Sequence, residues 1–360
     1  MRALVNRLGT TGGARLATFP RLDIVHGDVR DAACVQEATR GCTAVVHCAV
    51  DVNSPLSVRE QVTTEGTDNV LRAARSHGVR HIVFLSTAAV HSWEAPGRWD
   101  EDAPVRAADY YSRSKLQAEA LLLKNSDIPV TIIRPTCVYG PFSRTWTITP
   151  VSFLRLGIPL VAEEHGGSAN LIYVDNLADL ILAALDHQPI AHRVYLANEE
   201  QPSEWETLYS AYARAVDVPL GRFRADASAW GSLKEEISVS WSNAKVLVPR
   251  VAADVRVPLI AGLKACHRHV PLLQRCDRFL PMGALRRAVT ATRASTVNGA
   301  DQAATTGAVR PYAPRELRAF YTSKAKFSAE RATRELGWTP RVSAAEAIDR
   351  TCFWIRAANL

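Results

Sequence analysis

No Cys-x-x-Cys pair occurs among the 7 cysteines of this 360-residue chain, which are Cys34, Cys42, Cys48, Cys137, Cys266, Cys276 and Cys352. Their odd number and scattered spacing argue against a disulfide framework and make a reducing cytosol the expected compartment. Missing too is any uninterrupted apolar run near the roughly 20 residues that a bilayer demands, and no basic stretch followed by a short apolar core opens the chain. The expectation is a cytoplasmic protein, soluble or peripheral. Acidic residues are nearly absent from one window. Between Arg256 and Ala300 eight basic residues stand against Asp277 alone, an excess equal to the whole chain's net charge of +7. With 47% hydrophobic residues, the chain has material for one large core and a smaller lobe.

What is present is Tyr111-Ser112-Arg113-Ser114-Lys115, with Ser86-Thr87 upstream. The i,i+4 spacing puts phenol and ammonium on one helix face. A free tyrosine, with pKa about 10, is a poor base at neutral pH unless a positive charge stabilises its phenolate. Such an i,i+4 pair is otherwise an ordinary feature of an exposed helix, and context decides. His81–Leu85 reads as a buried strand, so Ser86 and Thr87 fall at its C-terminal end, where open α/β sheets gather their chemistry. Tyr111 then opens a helical pattern through Leu116, Ala120 and Leu123.

Further landmarks follow the same order. Gly27-Asp28-Val29-Arg30-Asp31, Val45-Val46-His47-Cys48-Ala49, Gly66-Thr67-Asp68-Asn69, Arg134-Pro135-Thr136-Cys137-Val138-Tyr139-Gly140-Pro141 and Asn170 to Asp179 stand in register around the Tyr/Lys pair. With them the chain resembles the extended short-chain dehydrogenase/reductase superfamily, across about residues 1–220 and 315–358. The resemblance implies a Rossmann-like, doubly wound parallel α/β sheet with a smaller, mostly helical C-terminal substrate lobe. The dinucleotide-binding core would span 1–140, with 168–187 returning to it; the substrate lobe would be built from 141–167 and 188–360. It also implies roles. Tyr111 exchanges a proton with the substrate oxygen, Lys115 lowers its pKa and holds the nicotinamide ribose, and Thr87, with Ser86 as the alternative hydroxyl, hydrogen-bonds that oxygen. Asp28, Val29, His47, Ala49, Pro135, Cys137 and Val138 are expected at the cofactor, NAD or NADP.

One family landmark is absent. These folds open with a strand and a GxxGxxG turn that admits the cofactor pyrophosphate to a helix N-terminus. Only 17 residues separate Gly9 from Gly27, too few for the helix, strand and connections that belong between, since a βαβ unit alone needs roughly 30. Reading Arg2–Asn6 as the second strand and Leu22–His26 as the third satisfies every later distance, so the chain as given is expected to start one βα unit late. A misplaced start and a degenerate homologue that no longer binds dinucleotide both account for this. In that register Arg7 would meet a 2′-phosphate, a tilt toward NADP.

The tail, with Gly337 ending one helix and Pro340 marking the turn before the next, resembles the 3β-hydroxysteroid dehydrogenase and dihydroflavonol-reductase-like branch. Sugar dehydratases place Asp-Glu after the catalytic hydroxyl, where this chain has Ala88-Ala89, and epimerases usually continue Val-Tyr-Gly, where it has Val90-His91-Ser92. Thr63 stands where the family commonly has Asn, which puts a helix-to-strand hydrogen bond in question. Trp93, Tyr139, Phe142 and Trp146 are expected near a hydrophobic alcohol or ketone of hydroxysteroid or flavonol type. The alternatives are a nucleotide-sugar epimerase or reductase, with Arg144 meeting the diphosphate, and a non-catalytic homologue kept as a binding module.

Residues 256–290 alternate basic and aliphatic side chains. They read as an amphipathic lid over the substrate pocket, or as a peripheral contact to anionic lipid. No recognised nucleic-acid fold or stacking array accompanies the charge, so no nucleic-acid partner is expected. Cys266-His267-Arg268-His269 with Cys276 has no familiar zinc spacing and carries flanking arginines, so no metal is expected. Residues 290–310, rich in Ala, Thr and Ser, read as a mobile linker. The helix bearing Tyr111 to Leu123 would suit a homodimer face.

Overall fold

The computed structural model describes residues 1–8, 11–51, 54–91, 96–107, 109–125, 127–156, 161–162, 166–187, 192–201, 204–219, 224–225 and 320–360. The basic segment 256–290, the linker 290–310, Trp93 and the Cys266–Cys276 cluster lie outside the described residues. No helix of the described residues is long and apolar enough to cross a membrane.

The centre is a four-stranded parallel sheet of β3 (Ala44–His47), β4 (His81–Leu85), β6 (Val130–Pro135) and β10 (Arg193–Ala197), in the order β10-β6-β4-β3. Strand β4 is buried from His81 to Phe84, and the period of two assigns its faces. Ile82 and Phe84 join Leu71 and Ala74 of α3 (Leu56–Ser76) and Ala118 and Leu122 of α4 (Tyr110–Asn125) on one side. Val83 joins Leu177 and Leu180 of α6 (Val174–Asp186), with Tyr195 and Trp338, on the other. Helices thus cover both faces of a parallel sheet, as burial on both sides requires. This is the Rossmann-like arrangement that the sequence implies.

A second parallel pair, β1 (Arg2–Val5) with β2 (Asp23–His26), precedes the main sheet and overlaps the two strands expected at 2–6 and 22–26. Leu4 of β1 and Val45 of β3 pack against the same cluster around Val29, Val35, Val62 and Val70. No strand pairing joins β1 to β3 among the described residues. Val46 of β3 is 38% exposed, while β4 beside it is buried from His81 to Phe84.

Beyond β6 the chain builds a smaller body. β7 (Cys137–Tyr139) pairs with β9 (Leu171–Tyr173), and their side chains share a core with α5 (Thr149–Leu156), α7 (Trp205–Ala215) and the final helix. Two short parallel pairs flank it: β5 (Gly97–Trp99) with β12 (Ala325–Phe327), and β8 (Val161–Ala162) with β11 (Arg224–Ala225). Helix α8 (Glu330–Leu336) ends at Gly337, whose φ of 64° is the left-handed cap that glycine tolerates. Helix α9 (Ala344–Ala357) starts at Ser343, whose hydroxyl accepts from the Glu346 amide at 3.3 Å. Of the short elements, α1 (Thr11–Leu16) and α2 (Ala32–Thr39) complete the first half, the latter capped by Asp31.

Candidate active site

Helix α4 is started by Asp109, whose Oδ1 accepts from the Ser112 amide at 2.7 Å and its hydroxyl at 2.8 Å. That fixes the first turn, which carries Tyr111 to the C-terminal end of β4. The residue as a whole is 38% exposed, and its hydroxyl lies within hydrogen-bonding reach of Thr87. Burial pushes the Tyr111 phenol up, the Asp109 carboxylate adds to the rise, and the Thr87 hydrogen bond works against it. Thr87 opens a single 3₁₀ turn, Ala88–Val90, its Oγ1 accepting from the Ala89 amide at 3.2 Å.

One turn on, Lys115 is 2% exposed, donates from Nζ to the Leu85 carbonyl at 2.7 Å and lies 4.8 Å from the Phe84 ring centroid. Burial pushes its ammonium down to about 8, partly offset by Cys48 and Glu119. The ammonium expected to lower the Tyr111 pKa is thus directed onto the Leu85 carbonyl at the end of β4.

Ser86 is separated from Thr87 by the alternation of the chain. Its hydroxyl turns inward and donates to Glu119 Oε1. Of the two candidate hydroxyls, Thr87 is the one near Tyr111. Glu119 was missed in the sequence, although its position four residues after Lys115 puts it on the Tyr111–Lys115 face.

The residues expected at the cofactor divide into two groups. Pro135, Cys137 and Val138 form the turn from β6 into β7, held by the Thr136 amide on Ala197 O at 3.0 Å, with the Cys137 side chain buried. Arg7 is exposed just past β1. The others are engaged within the fold. Asp28 receives Arg30 Nε at 3.0 Å, Arg30 Nη2 at 2.7 Å and Asn6 Nδ2 at 2.7 Å, and Arg30 foremost holds its carboxyl down at about 2. Val29 packs where a Cβ on Gly66 would stand 2.7 Å from its Cγ1, so the glycine of the Gly66-Thr67 pair serves the close approach of α3.

His47 is fully enclosed, and its Nε2 lies 3.1 Å from Thr67 Oγ1. Because that hydroxyl donates to the Thr63 carbonyl, Nε2 carries the proton and donates to it. Burial, then the Lys115 charge, push His47 down to about 3, so the ring is neutral. The helix-to-strand hydrogen bond questioned by Thr63 is thus made by Thr67 instead. Ala49 is half-buried against the Val29 cluster.

Of the aromatic residues expected at a substrate, Tyr139 and Trp146 are engaged in packing, while Phe142 stays 39% exposed. Tyr139 is fully buried beside Tyr173, with ring centroids 5.6 Å apart. Trp146 stacks on Trp205 at 5.6 Å and Phe320 at 5.3 Å. Phe142, at φ 66°, lies 4.7 Å from Trp354 and beneath the Arg15 guanidinium at 3.6 Å. Arg144 is exposed at the start of the turn that leads into α5. A cavity of about 630 Å³ near Asn198, Glu199, Arg334 and Trp338 is lined by none of these residues.

Residues 11–224 match the family model described as the 3-beta hydroxysteroid dehydrogenase/isomerase family. The chain belongs to that family. Within this wider group of epimerase- and dehydratase-like proteins, it is 30% identical over 209 residues to the UDP-glucose 4-epimerase of Vibrio cholerae, covering 54% of this chain and 63% of that protein. It is also 30% identical over 177 residues to the N-acetyl-alpha-D-glucosaminyl-diphospho-ditrans,octacis-undecaprenol 4-epimerase of Escherichia coli O157:H7, covering 47% and 53%. The chain therefore spans between half and two thirds of the length of these curated relatives. A double mutant of the dTDP-glucose 4,6-dehydratase DesIV from Streptomyces venezuelae, solved with NAD bound, shares the fold at a TM-score of 0.62 and 18% identity, over 99% of this chain and 87% of that one.

The donor set of this 3-beta hydroxysteroid dehydrogenase/isomerase family member fits the nicotinamide half of a dinucleotide. A buried ammonium, a phenol and a hydroxyl meet at one strand end, and the β6–β7 turn lies at the end of the adjoining strand. Gly13, in the six-residue α1, is approached closely by the backbone that precedes the helix: a Cβ there would stand 2.5 Å from the Leu8 carbonyl.

Proposed function

We propose that this protein is an NAD-dependent enzyme acting on a carbinol of a nucleotide sugar, as an epimerase or reductase. The observation that carries the choice of substrate is the fate of the aromatic residues. Tyr139 and Trp146 pack on Tyr173 and Trp205, and Phe142, 39% exposed, lies between Trp354 and the Arg15 guanidinium, an arrangement that offers a sterol or flavonol little apolar lining among the described residues. Arg144, exposed on the segment after the β6–β7 turn, is the cation for a diphosphate. The epimerases among the relatives support the same class. Ala88 and Ala89 follow Thr87 with no carboxylate, so elimination of water has no acid/base pair there.

In this reading Tyr111 gives and takes the proton at the carbinol oxygen, Thr87 hydrogen-bonds that oxygen, and Lys115 holds the ribose and the local positive charge. The cofactor supplies the hydride acceptor. Pro135 to Val138 line its nicotinamide end. Arg7 adds a tilt toward NADP, which the NAD-bound structural relative does not share. We further read the junction between β1 and β3 as the seat of one more parallel strand followed by a glycine-rich turn, which would supply the pyrophosphate site.

The test is incubation with NAD and either UDP-glucose or UDP-N-acetylglucosamine, followed by proton NMR. Appearance of the epimer without net NADH is the expected result. Stoichiometric NADH from a hydroxysteroid panel, with the nucleotide sugars untouched, would return the reading to the hydroxysteroid type.

A further inference from the structure

Three residues on one face of α4, each a turn apart, reach three consecutive positions at the end of β4. Tyr111 meets Thr87, Lys115 Nζ donates to Leu85 O at 2.7 Å, and Glu119 accepts from the Ser86 hydroxyl. Behind Glu119 stands a closed charge network. Arg134 of β6 donates from Nε to Glu119 Oε1 at 3.1 Å and from Nη2 to Oε2 at 2.6 Å. Its Nη1 lies 3.0 Å from His91 Nε2. Arginine has no acceptor, so Nε2 carries the lone pair, and Nδ1–H donates to the Pro104 carbonyl at 3.3 Å. Ser86, His91, Glu119 and Arg134 are 3%, 1%, 2% and 6% exposed.

Such a network is a poor source of stability. A buried ion pair replaced by well-packed apolar side chains of similar volume often leaves a protein equally stable, or more so. What apolar packing does not supply is direction along the helix axis. A bidentate guanidinium on β6, a hydroxyl on β4 and a carboxylate on α4 define one sliding position of the helix, and a shift of about an ångström there is enough to misplace a reacting group. The departure from Val-Tyr-Gly to Val90-His91-Ser92 finds its partner here, since neutral His91 is an acceptor that the guanidinium needs.

We infer that Glu119 is a positioning residue. Clamped by Arg134 and taking the Ser86 hydroxyl, it sets the axial register of α4 on β4 and so places Tyr111 against Thr87. It touches neither substrate nor cofactor. The inference rests on the proposed roles of Tyr111 and Thr87, but its geometric half is tested without turnover.

The experiment compares wild type with Glu119→Leu/Arg134→Met, reading thermal midpoint, the nuclear Overhauser contact between the Tyr111 ring and the Thr87 methyl, and kcat against KM for the nucleotide sugar. The expected double variant stays folded, loses the Tyr111–Thr87 contact, and drops in kcat by about a hundredfold with KM held. A folded double variant that keeps both contact and kcat would overturn the inference. Should it not fold, Ser86→Ala removes only the hydroxyl that Glu119 receives. Weakening of the same contact with a several-fold fall in kcat is then expected, and an unchanged contact overturns the inference. Full activity of Tyr111→Phe would instead sink the proposed chemistry while leaving the contact measurement valid.

Discussion

Ser86 and Thr87, neighbours in sequence, turn their hydroxyls to opposite partners: Ser86 inward to Glu119, Thr87 toward the Tyr111 phenol. Side chains at successive extended positions point to opposite faces. In the proposed chemistry only the Thr87 hydroxyl faces the substrate, so removing each has a different cost. Thr87→Val is expected to lower kcat by about a hundredfold, as loss of a hydrogen bond at the reacting oxygen does. Ser86→Ala should lower it less than about tenfold, acting through helix position alone. Tyr111→Phe should abolish turnover with the thermal midpoint unchanged. Steady-state kinetics on the three variants check the ranking, and a larger loss for Ser86→Ala than for Thr87→Val would exchange their roles.

Lys115 predicts a stability profile with a definite sign. Its ammonium is pushed down to about 8 by burial, below the ordinary 10.5. Between those values the unfolded chain binds the extra proton, so stability rises with pH across this window. Below about pH 8 the native state bears the full cost of a buried ammonium, on the order of 3 kcal/mol, offset by about 1 kcal/mol from the hydrogen bond to Leu85. Lys115→Met should therefore lose activity without losing stability at pH 7. The wild type should gain on the variant as pH climbs from 8 to 10. Urea titrations of both proteins at pH 7, 8.5 and 10 measure the difference, and a constant gap across the series would show that the ammonium is not strained by burial.

Gly140 follows β7 in the smaller body and packs against the junction of β9 and α6. Its φ is 133°, and a Cβ there would stand 2.8 Å from Val174 Cγ1 and 3.0 Å from Tyr173 Cε2. Strained φ and overpacking each cost roughly 1–3 kcal/mol. Gly140→Ala is expected to lower the urea midpoint by a corresponding amount and to loosen the packing of the end of β7 against the start of α6. Gly337→Ala, with open space around its Cβ, should lose only the smaller left-handed penalty of about 1 kcal/mol.

Much of the parallel sheet was legible because buried strands are short apolar runs with one phase. His81–Leu85 is a strand over the residues that the pattern names, and β1 and β2 fall within a residue of the expected limits. The helix carrying Tyr111 and Lys115 was readable for the same reason of periodicity. What was not readable is where the polar atoms go. The hydroxyls of Ser86 and Thr87 are equivalent in sequence and are separated only by the twist of one strand end. Lys115 looked like a partner for Tyr111 because four residues separate them, but the Leu85 carbonyl is the acceptor at the end of its stem. Aromatic residues near the turn after β6 looked like a pocket, but Trp205 and Phe320, far along the chain, pack on Trp146, and Trp354 lies against the still exposed Phe142.

The last prediction concerns the junction between β1 and β3. Each strand is hydrogen-bonded on one side, β1 to β2 and β3 to β4, and no pairing joins them to each other among the described residues. Leu4 and Val45 nonetheless pack on the same cluster. In the reading proposed above the two edges flank one slot, and the exposure of Val46, an apolar strand residue, is the mark of an edge left open there. A parallel strand placed there would pair with both edges. The turn after it would open a helix N-terminus toward the end of the sheet where Thr87 and Tyr111 meet. Fusing a βα unit of roughly 30 residues bearing GxxGxxG ahead of Met1 is therefore expected to raise the thermal midpoint even without cofactor and to bring NADH binding into the micromolar range. Isothermal titration of the 360-residue chain should by contrast give weak binding of NADH and NADPH. Micromolar binding by that chain, unchanged on fusion, would show that the segment from Arg7 to Gly13 is itself the phosphate loop and that β1 is the first strand of the sheet.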